Sequence, residues 1–307
     1  MKKLLTLLSL FILFTGCATM SNSTNEAEKK EETVFQYGFS PLCPVEASQT
    51  KAGVNYANVN HSSYFSKTTG LDRGYNYILP EYYDPSKKYP VLYFLHGIFG
   101  DENSIPCDRN NKIAEIYKNL CDAGVAEEMI IVFPNMFAVT DRNQKPGFTA
   151  EAVLPYDNFI NDLVNDLIPH IEGKFSTYTD RQHRAIMGFS MGGRETLFIG
   201  LSRSDLFGYF GAVAPAPGVV PGKDYNMTHE GQFKSEAEMT YVNPEYQSKI
   251  MICCGTNDSV VGKFPLTYHN ILTANGIEHE WYEVPGADHN SVAISSGFYN
   301  FIQKIFK

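Results

Sequence analysis

From about residue 50 onward, continuous apolar runs alternate with segments whose apolar positions recur every three to four residues. Met129–Phe133 (MIIVF) is apolar throughout, the pattern of a strand covered on both faces. Tyr75–Leu79, Tyr89–Leu95, Arg184–Phe189, Tyr209–Val213, Lys249–Cys254 and Glu278–Val284 read as strands in the same style. The clearest helical pattern runs from Asn158 to Ile171. There Phe159, Ile160, Leu163, Val164, Leu167, Ile168 and Ile171 fall on one face, and Asp157 or a neighbour is placed to cap the start. Lys112–Cys121, Glu195–Leu201, Tyr268–Ala274 and Ser296–Phe306 predict further helices. This alternation predicts an α/β fold with a mostly parallel sheet and helices on both faces. Two segments fit neither period: Met136–Val153 and Gly218–Tyr246 are long, polar and rich in Gly, Pro and Asn. Loops of that length are usually functional or mobile, and these fall where a cover over a substrate would sit.

The N-terminus follows another pattern. Lys2 and Lys3 precede an apolar run, Leu4 to Phe14, interrupted only by Thr6 and Ser9. A transmembrane helix needs roughly 20 apolar residues, so this run fits the core of a signal peptide better. Phe14-Thr15-Gly16-Cys17 resembles a bacterial lipobox, with Phe14 where Leu is usual, and marks Cys17 for lipidation. Residues 18–33 are small, polar and charged and cannot bury enough apolar area to offset chain entropy. The expected layout is a lipoprotein signal peptide over 1–17, a flexible tether over 18–45 and a folded domain over 46–307. Such a chain is exported, and is held at the cell surface or in the periplasm by its lipid.

Composition narrows the picture. With 307 residues, 43% hydrophobic and 19% charged, the chain suits one large domain or at most two. Its net charge of −9 argues against nucleic acid and polyanionic surfaces as partners, and a neutral polymer or small ester is tolerated better. Export permits disulfides, but the five cysteines after Cys17 are odd in number, so at least one stays free. Cys253 and Cys254 would face opposite sides of a strand and are poor partners for each other. No CxxC pair or ordered His/Cys spacing points to zinc, and no metal or organic cofactor is implied.

The chemistry concentrates at Gly188-Phe189-Ser190-Met191-Gly192-Gly193, a G-x-S-x-G sequence between a strand-like and a helix-like stretch. A sharp strand-to-helix turn lifts such a serine above the sheet, and glycines two before and two after relieve the crowding. The following helix aims its first amides at the reaction centre. Serine needs a base, and the base an orienting acid. In this fold the chain order is Ser, acid, His. Of the histidines after Ser190, His289 lies in a loop just beyond the last strand, whereas His229, His269 and His279 read as surface or structural. Asp258, just past the penultimate strand, is the candidate acid, with Asp288 as the rival whose side chain should diverge from its neighbour His289. The oxyanion needs amide donors: Met191 follows the nucleophile, and Ile98, with Phe99 as the alternative, lies in the loop Leu95–Gly100. His96 reads as a brace for that loop. Phe99, Phe137 and Tyr156 are loop aromatics able to stack on an aromatic acid or to pack locally.

Several blocks resemble the esterase D-like enzymes of the α/β-hydrolase superfamily, including the carbohydrate esterase family 1 feruloyl and acetylxylan esterases. They are Tyr89–Gly97, Asp180–Ile186, Gly188–Gly193, Cys254–Ser259 and Gly286–His289, and the likeness runs from about Asp72 to Phe306. The resemblance implies Ser190 as nucleophile, Asp258 as acid, His289 as base, and Ile98 and Met191 as oxyanion donors. It implies hydrolysis of an ester joining a hydroxycinnamate or acetate to plant cell-wall xylan, so that the partner is a plant polysaccharide or its feruloylated oligosaccharides. A siderophore esterase, a thioester hydrolase or an acyltransferase of the same family is an alternative. A non-catalytic surface binding lipoprotein is an alternative of another class.

Overall fold

The computed structural model describes residues 35–307. The expected signal peptide, Cys17 and the expected tether as far as residue 34 lie outside the described residues. The apolar runs become the centre of the sheet. They are β3 (Val91–Leu95), β4 (Ile130–Pro134), β5 (Arg184–Phe189), β6 (Tyr209–Val213) and β9 (Lys249–Gly255). Ahead of them come β1 (Asn60–Ser66) and β2 (Leu71–Ile78), a small hairpin β7 (Gly222–Lys223) and β8 (Thr228–His229) stands apart, and β10 (Glu280–Val284) closes the sheet. The order is β1-β2-β4-β3-β5-β6-β9-β10, parallel except that β2 pairs antiparallel with β1 and with β4. This is the predicted α/β arrangement.

Alternate residues of each central strand serve opposite faces. Val91, Tyr93, Ile130, Val132, Ile186 and Ile252 pack on one side with Tyr156, Phe159, Leu163, Leu197 and Leu272. Leu92, Phe94, Ile131, Phe133, Met187 and Cys253 pack on the other with Ile116, Leu120, Phe298 and Ile302. The first face carries α3 (Ala150–Asp157), α4 (Phe159–Asp162), α5 (Ile168–Lys174), α6 (Met191–Ser202) and α7 (Phe264–Ala274); the second carries α2 (Ile113–Asp122) and α8 (Ser291–Ile302).

Two expectations need correction. The irregular segment expected to run to Val153 ends sooner, because α3 begins at Ala150, where the Thr149 hydroxyl accepts the Ala152 amide at 3.2 Å, and the helix expected from Asn158 follows from Phe159. Pro155 does not break α3, because the Glu151 carbonyl that its missing N–H would have engaged accepts Gln144 Nε2 at 3.0 Å instead. Between α4 and α5 the chain makes a π-turn over Leu163–Leu167. Asp162, just before that turn, is buried and accepts Arg73 Nε at 2.9 Å and the Tyr64 hydroxyl at 2.5 Å. The second correction concerns the tether, whose expected end at residue 45 is too late. Gly38, Ser40 and Cys43 are already bound to α8 through Tyr299, Asn300 and Ser296, and Phe39 meets the Tyr282 ring edge-on at 5.2 Å. Those inward polar positions of α8 need partners, and the entering chain supplies them. Val45–Ser48 then forms a single helical turn, α1. The cysteines meet the expectation that at least one stays free and that Cys253 and Cys254 do not pair: all five described ones, Cys43, Cys107, Cys121, Cys253 and Cys254, are free thiols.

Candidate active site

Ser190 stands between β5 and α6 with φ 58° and ψ −116°, a strained backbone for a residue with a side chain. The turn survives because it is tied on every side. The Ser190 amide donates to Val213 O at 2.9 Å, and its carbonyl accepts the amides of Arg194 at 3.0 Å and Ala216 at 2.9 Å. A Cβ at Gly188 would lie 2.2 Å from the Gly192 carbonyl oxygen, and one at Gly192 would lie 2.5 Å from that of Leu95. Both positions therefore require glycine, and the second presses α6 against the loop after β3.

That loop carries Gly97, which approaches the Ser190 side chain so closely that an added Cβ would be 3.4 Å from Ser190 Cβ. Ile98 follows Gly97 and Met191 follows Ser190, and among the described residues neither of their amides donates to another acceptor. Phe99 is different. Its amide is taken by the Tyr156 hydroxyl at 3.2 Å, which removes it as the alternative oxyanion donor. His96 braces the loop as expected. Its Nε2 accepts the Met136 amide at 3.0 Å, so the proton sits on Nδ1, which donates to Gly97 O at 2.7 Å. Burial drives its pKa down to about 4, against an opposing pull from the Gly97 carbonyl, and the ring is neutral.

Along the same edge of the sheet, the loops after the parallel strands β9 and β10 are laced together. Thr256 N donates to Val284 O at 3.1 Å, Asn257 N to Ala287 O at 2.9 Å, and Gly286 N to Thr256 Oγ1 at 2.8 Å. This brings Asp258 and His289 together, with Asp258 Oδ2 2.7 Å from His289 Nδ1. The other oxygen, Oδ1, accepts the amides of Val260 at 3.0 Å and Val261 at 3.1 Å. Burial pushes the Asp258 carboxyl up, but His289 and these amides outweigh it and hold it below its ordinary value. The Asp288 carboxylate accepts only the backbone amide of His289, at 2.8 Å, among the described residues. The His289 ring packs on Phe189, the residue before Ser190, with centroids 4.4 Å apart. The Ser190 hydroxyl makes no hydrogen bond among the described residues, so the acid–base half of the arrangement is assembled and the serine stands free.

The aromatic candidates separate. Phe99 has φ 63° and is 56% exposed, so its ring is held out into solvent. Phe137 is half-buried against Tyr156, centroids 4.9 Å apart. Tyr156 is wholly buried and offers no face to a ligand, which corrects its place among the stacking candidates; it props the Phe99 amide instead. Phe148, 49% exposed, meets Phe99 edge-on at 5.2 Å and was not singled out by sequence. His269 and His279 bind one another at 2.7 Å, and His229 binds Asp224 at 3.0 Å, so none serves the serine.

A buried polar network below the serine was also not legible. Arg194 Nη1 donates to Asp157 at 2.6 Å and to Glu195, and Gln232 Nε2 reaches Glu195 at 2.8 Å and Asp157 at 3.2 Å. It fastens the segment 218–246 to α6 and to the end of α3.

Residues 66–287 match the model of the Esterase family. The CE1 ferulic acid esterase of Anaeromyces mucronatus, solved in complex with ferulic acid, is 47% identical, covers 88% of this chain and 98% of its own, and superposes with a TM-score of 0.82. The endo-1,4-beta-xylanase/feruloyl esterase of Xylanibacter ruminicola is 34% identical over 167 residues, 52% of this chain. The endo-1,4-beta-xylanase Y of Acetivibrio thermocellus is 31% identical over 154 residues, 46% of this chain. The chain spans only 22% and 13% of the lengths of these two relatives.

Proposed function

We propose, from the premise that this chain belongs to the Esterase family and is a carboxylic ester hydrolase, that it releases ferulate from feruloyl esters of plant cell-wall xylan by serine acyl transfer. The observation that carries the mechanism is the His289–Asp258 contact, with the imidazole packed on Phe189 next to the strained Ser190. Asp258 is ionised at neutral pH and accepts the Nδ1 proton, which leaves Nε2 as the basic nitrogen. The Ser190 hydroxyl attacks the ester carbonyl carbon as its proton passes to Nε2. The carbonyl oxygen takes the negative charge and receives the Ile98 and Met191 amides. The intermediate collapses, Nε2 returns the proton to the departing sugar alkoxide, and the feruloyl group stays on Oγ as an ester. Water, deprotonated by the same nitrogen, then frees the acid and restores the serine. No cofactor enters this scheme.

Substrate choice rests on likeness to the ferulic acid esterases and on the exposed Phe99–Phe148 pair, a surface suited to edge and face contacts with a cinnamoyl ring. Purified enzyme is expected to hydrolyse methyl ferulate far faster than acetylated xylan, and Ser190→Ala to abolish that activity while keeping the wild-type melting temperature. Undiminished turnover in the alanine variant would discard Ser190 as nucleophile. Activity confined to acetyl esters or to a catecholate trilactone would discard the feruloyl reading. We also propose that the chain is exported and anchored by a lipid on Cys17. Cys17→Ser should lose fatty-acid labelling, and retained label rejects the anchor.

A further inference from the structure

Asp258 Oδ2 receives a second donor besides His289. Cys254, the penultimate residue of β9, is 5% exposed, and its Sγ lies 3.7 Å from that oxygen. We propose that Cys254 is a positioning residue for the proton relay, its thiol donating to the Asp258 oxygen that receives His289 and so fixing that carboxylate's orientation and charge. The inference rests on the assignment of Asp258 and His289 made above.

The geometry leaves the thiol few alternatives. Burial, then the neighbouring Asp258, Cys253 and Glu283, raises its pKa far above the ordinary thiol value, so it stays protonated and acts as a donor. Oδ1 is already occupied by two amides, and Oδ2 is the oxygen that meets the imidazole. Each donor to a carboxylate disperses its charge and weakens its hold on the remaining partner. With the thiol gone, the carboxylate stabilises the imidazolium more strongly, and His289 keeps its proton to higher pH. The charged and titratable groups nearest this centre are Glu283, paired with Cys254 across β10, Cys253 beside it, and Asp288 on the His289 loop. None of them donates to Oδ2 among the described residues.

The test is the pH dependence of kcat/KM on methyl ferulate for the wild type, Cys254→Ala and Cys254→Ser. The midpoint of the acid limb should rise by roughly 0.3–0.5 pH unit in the alanine variant, the scale of losing one weak donor to a charged acceptor. Serine, which restores a donor, should bring it back toward wild type. Coincident midpoints in all three proteins, or equal shifts in both variants, would overturn the proposal. A readout without turnover guards against a folding defect. The S–H stretching band assigned by the wild type minus Cys254→Ala infrared difference should lie at lower wavenumber in the wild type than in Asp258→Ala. An unmoved band means that the thiol does not donate to Asp258. Because that band is read without catalysis, it stands or falls separately from the choice of nucleophile and substrate.

Discussion

His289 turns its ring toward Asp258, at 2.7 Å, and gives its neighbour Asp288 only a backbone amide. Sequence adjacency therefore misleads about which carboxylate orients the base. Asp258→Asn replaces an acceptor with an amide that can present N–H to Nδ1 and stabilise the wrong tautomer. A loss of roughly 10³–10⁴-fold in kcat is expected. Asp288→Asn should stay within about threefold of wild type, since only an exposed backbone contact changes. Steady-state rates of both variants on methyl ferulate decide the matter, and the reverse ranking would reassign the acid.

The crowding at the nucleophile turn gives a second expectation. A methyl at Gly188 would overlap the Gly192 carbonyl at 2.2 Å, and both atoms belong to backbone that cannot step aside. Gly188→Ala should cost about 1–3 kcal/mol or more in unfolding free energy. It should cost disproportionately more in kcat, because relief of the clash displaces Ser190 from the Ile98 and Met191 amides. Denaturant melts paired with kinetics test this. A variant of wild-type activity would show that the turn is looser than its contacts imply.

The aromatic pair predicts selectivity. Phe99 and Phe148 are exposed and meet edge-on, and Phe99, with a left-handed backbone, gives its amide to the Tyr156 hydroxyl. Phe99→Ala and Phe148→Ala should each lower kcat/KM for methyl ferulate by roughly 5–30-fold, the loss of about 1–2 kcal/mol of ring contact. Turnover of p-nitrophenyl acetate should change little. Equal losses on both esters would point to a damaged oxyanion loop.

Legibility followed burial. The strands β3, β4, β5, β6 and β9 are covered on both faces, so hydrophobicity alone reveals them, and the loops carrying Ser190, Asp258 and His289 are set by their ends. β1 (NHSSYFS) escaped notice because it is an edge strand whose mostly polar residues are matched only by its partner β2. The attachment of Gly38–Cys43 to α8 joins residues more than 250 positions apart and leaves no local period. Tyr156, expected among the stacking aromatics, is buried, and Phe148, given no role by sequence, is exposed, for a similar reason. Exposure is a property of the assembled fold. The Arg194–Glu195–Asp157–Gln232 network draws on three separate segments, and Arg194-Glu195 by itself looks like an ordinary helix surface.

Two buried groups make opposite contributions to stability across the same pH range. Burial lowers His96 from 6.5 to about 4, so between those values the unfolded chain binds the extra proton. Its contribution is complete above pH 6.5 and is lost as pH falls toward 4. Burial raises Glu195 from 4.5 to about 7, against the pull of Arg194, so there the folded chain holds the extra proton. Its contribution is complete below pH 4.5 and is lost as pH rises toward 7. The two slopes therefore partly cancel in the native protein. Glu195→Gln keeps a hydrogen-bonding side chain on Gln232 while removing the titration, and should leave the slope of His96, with those of His170 and His269, unopposed by Glu195. Its unfolding free energy should rise more steeply than the wild type's between about pH 4.5 and 7. The relevant measurement is a series of denaturant melts at half-unit pH steps. Parallel curves for the two proteins would mean that Glu195 titrates alike in the folded and unfolded chains, and that Arg194 offsets its burial in full.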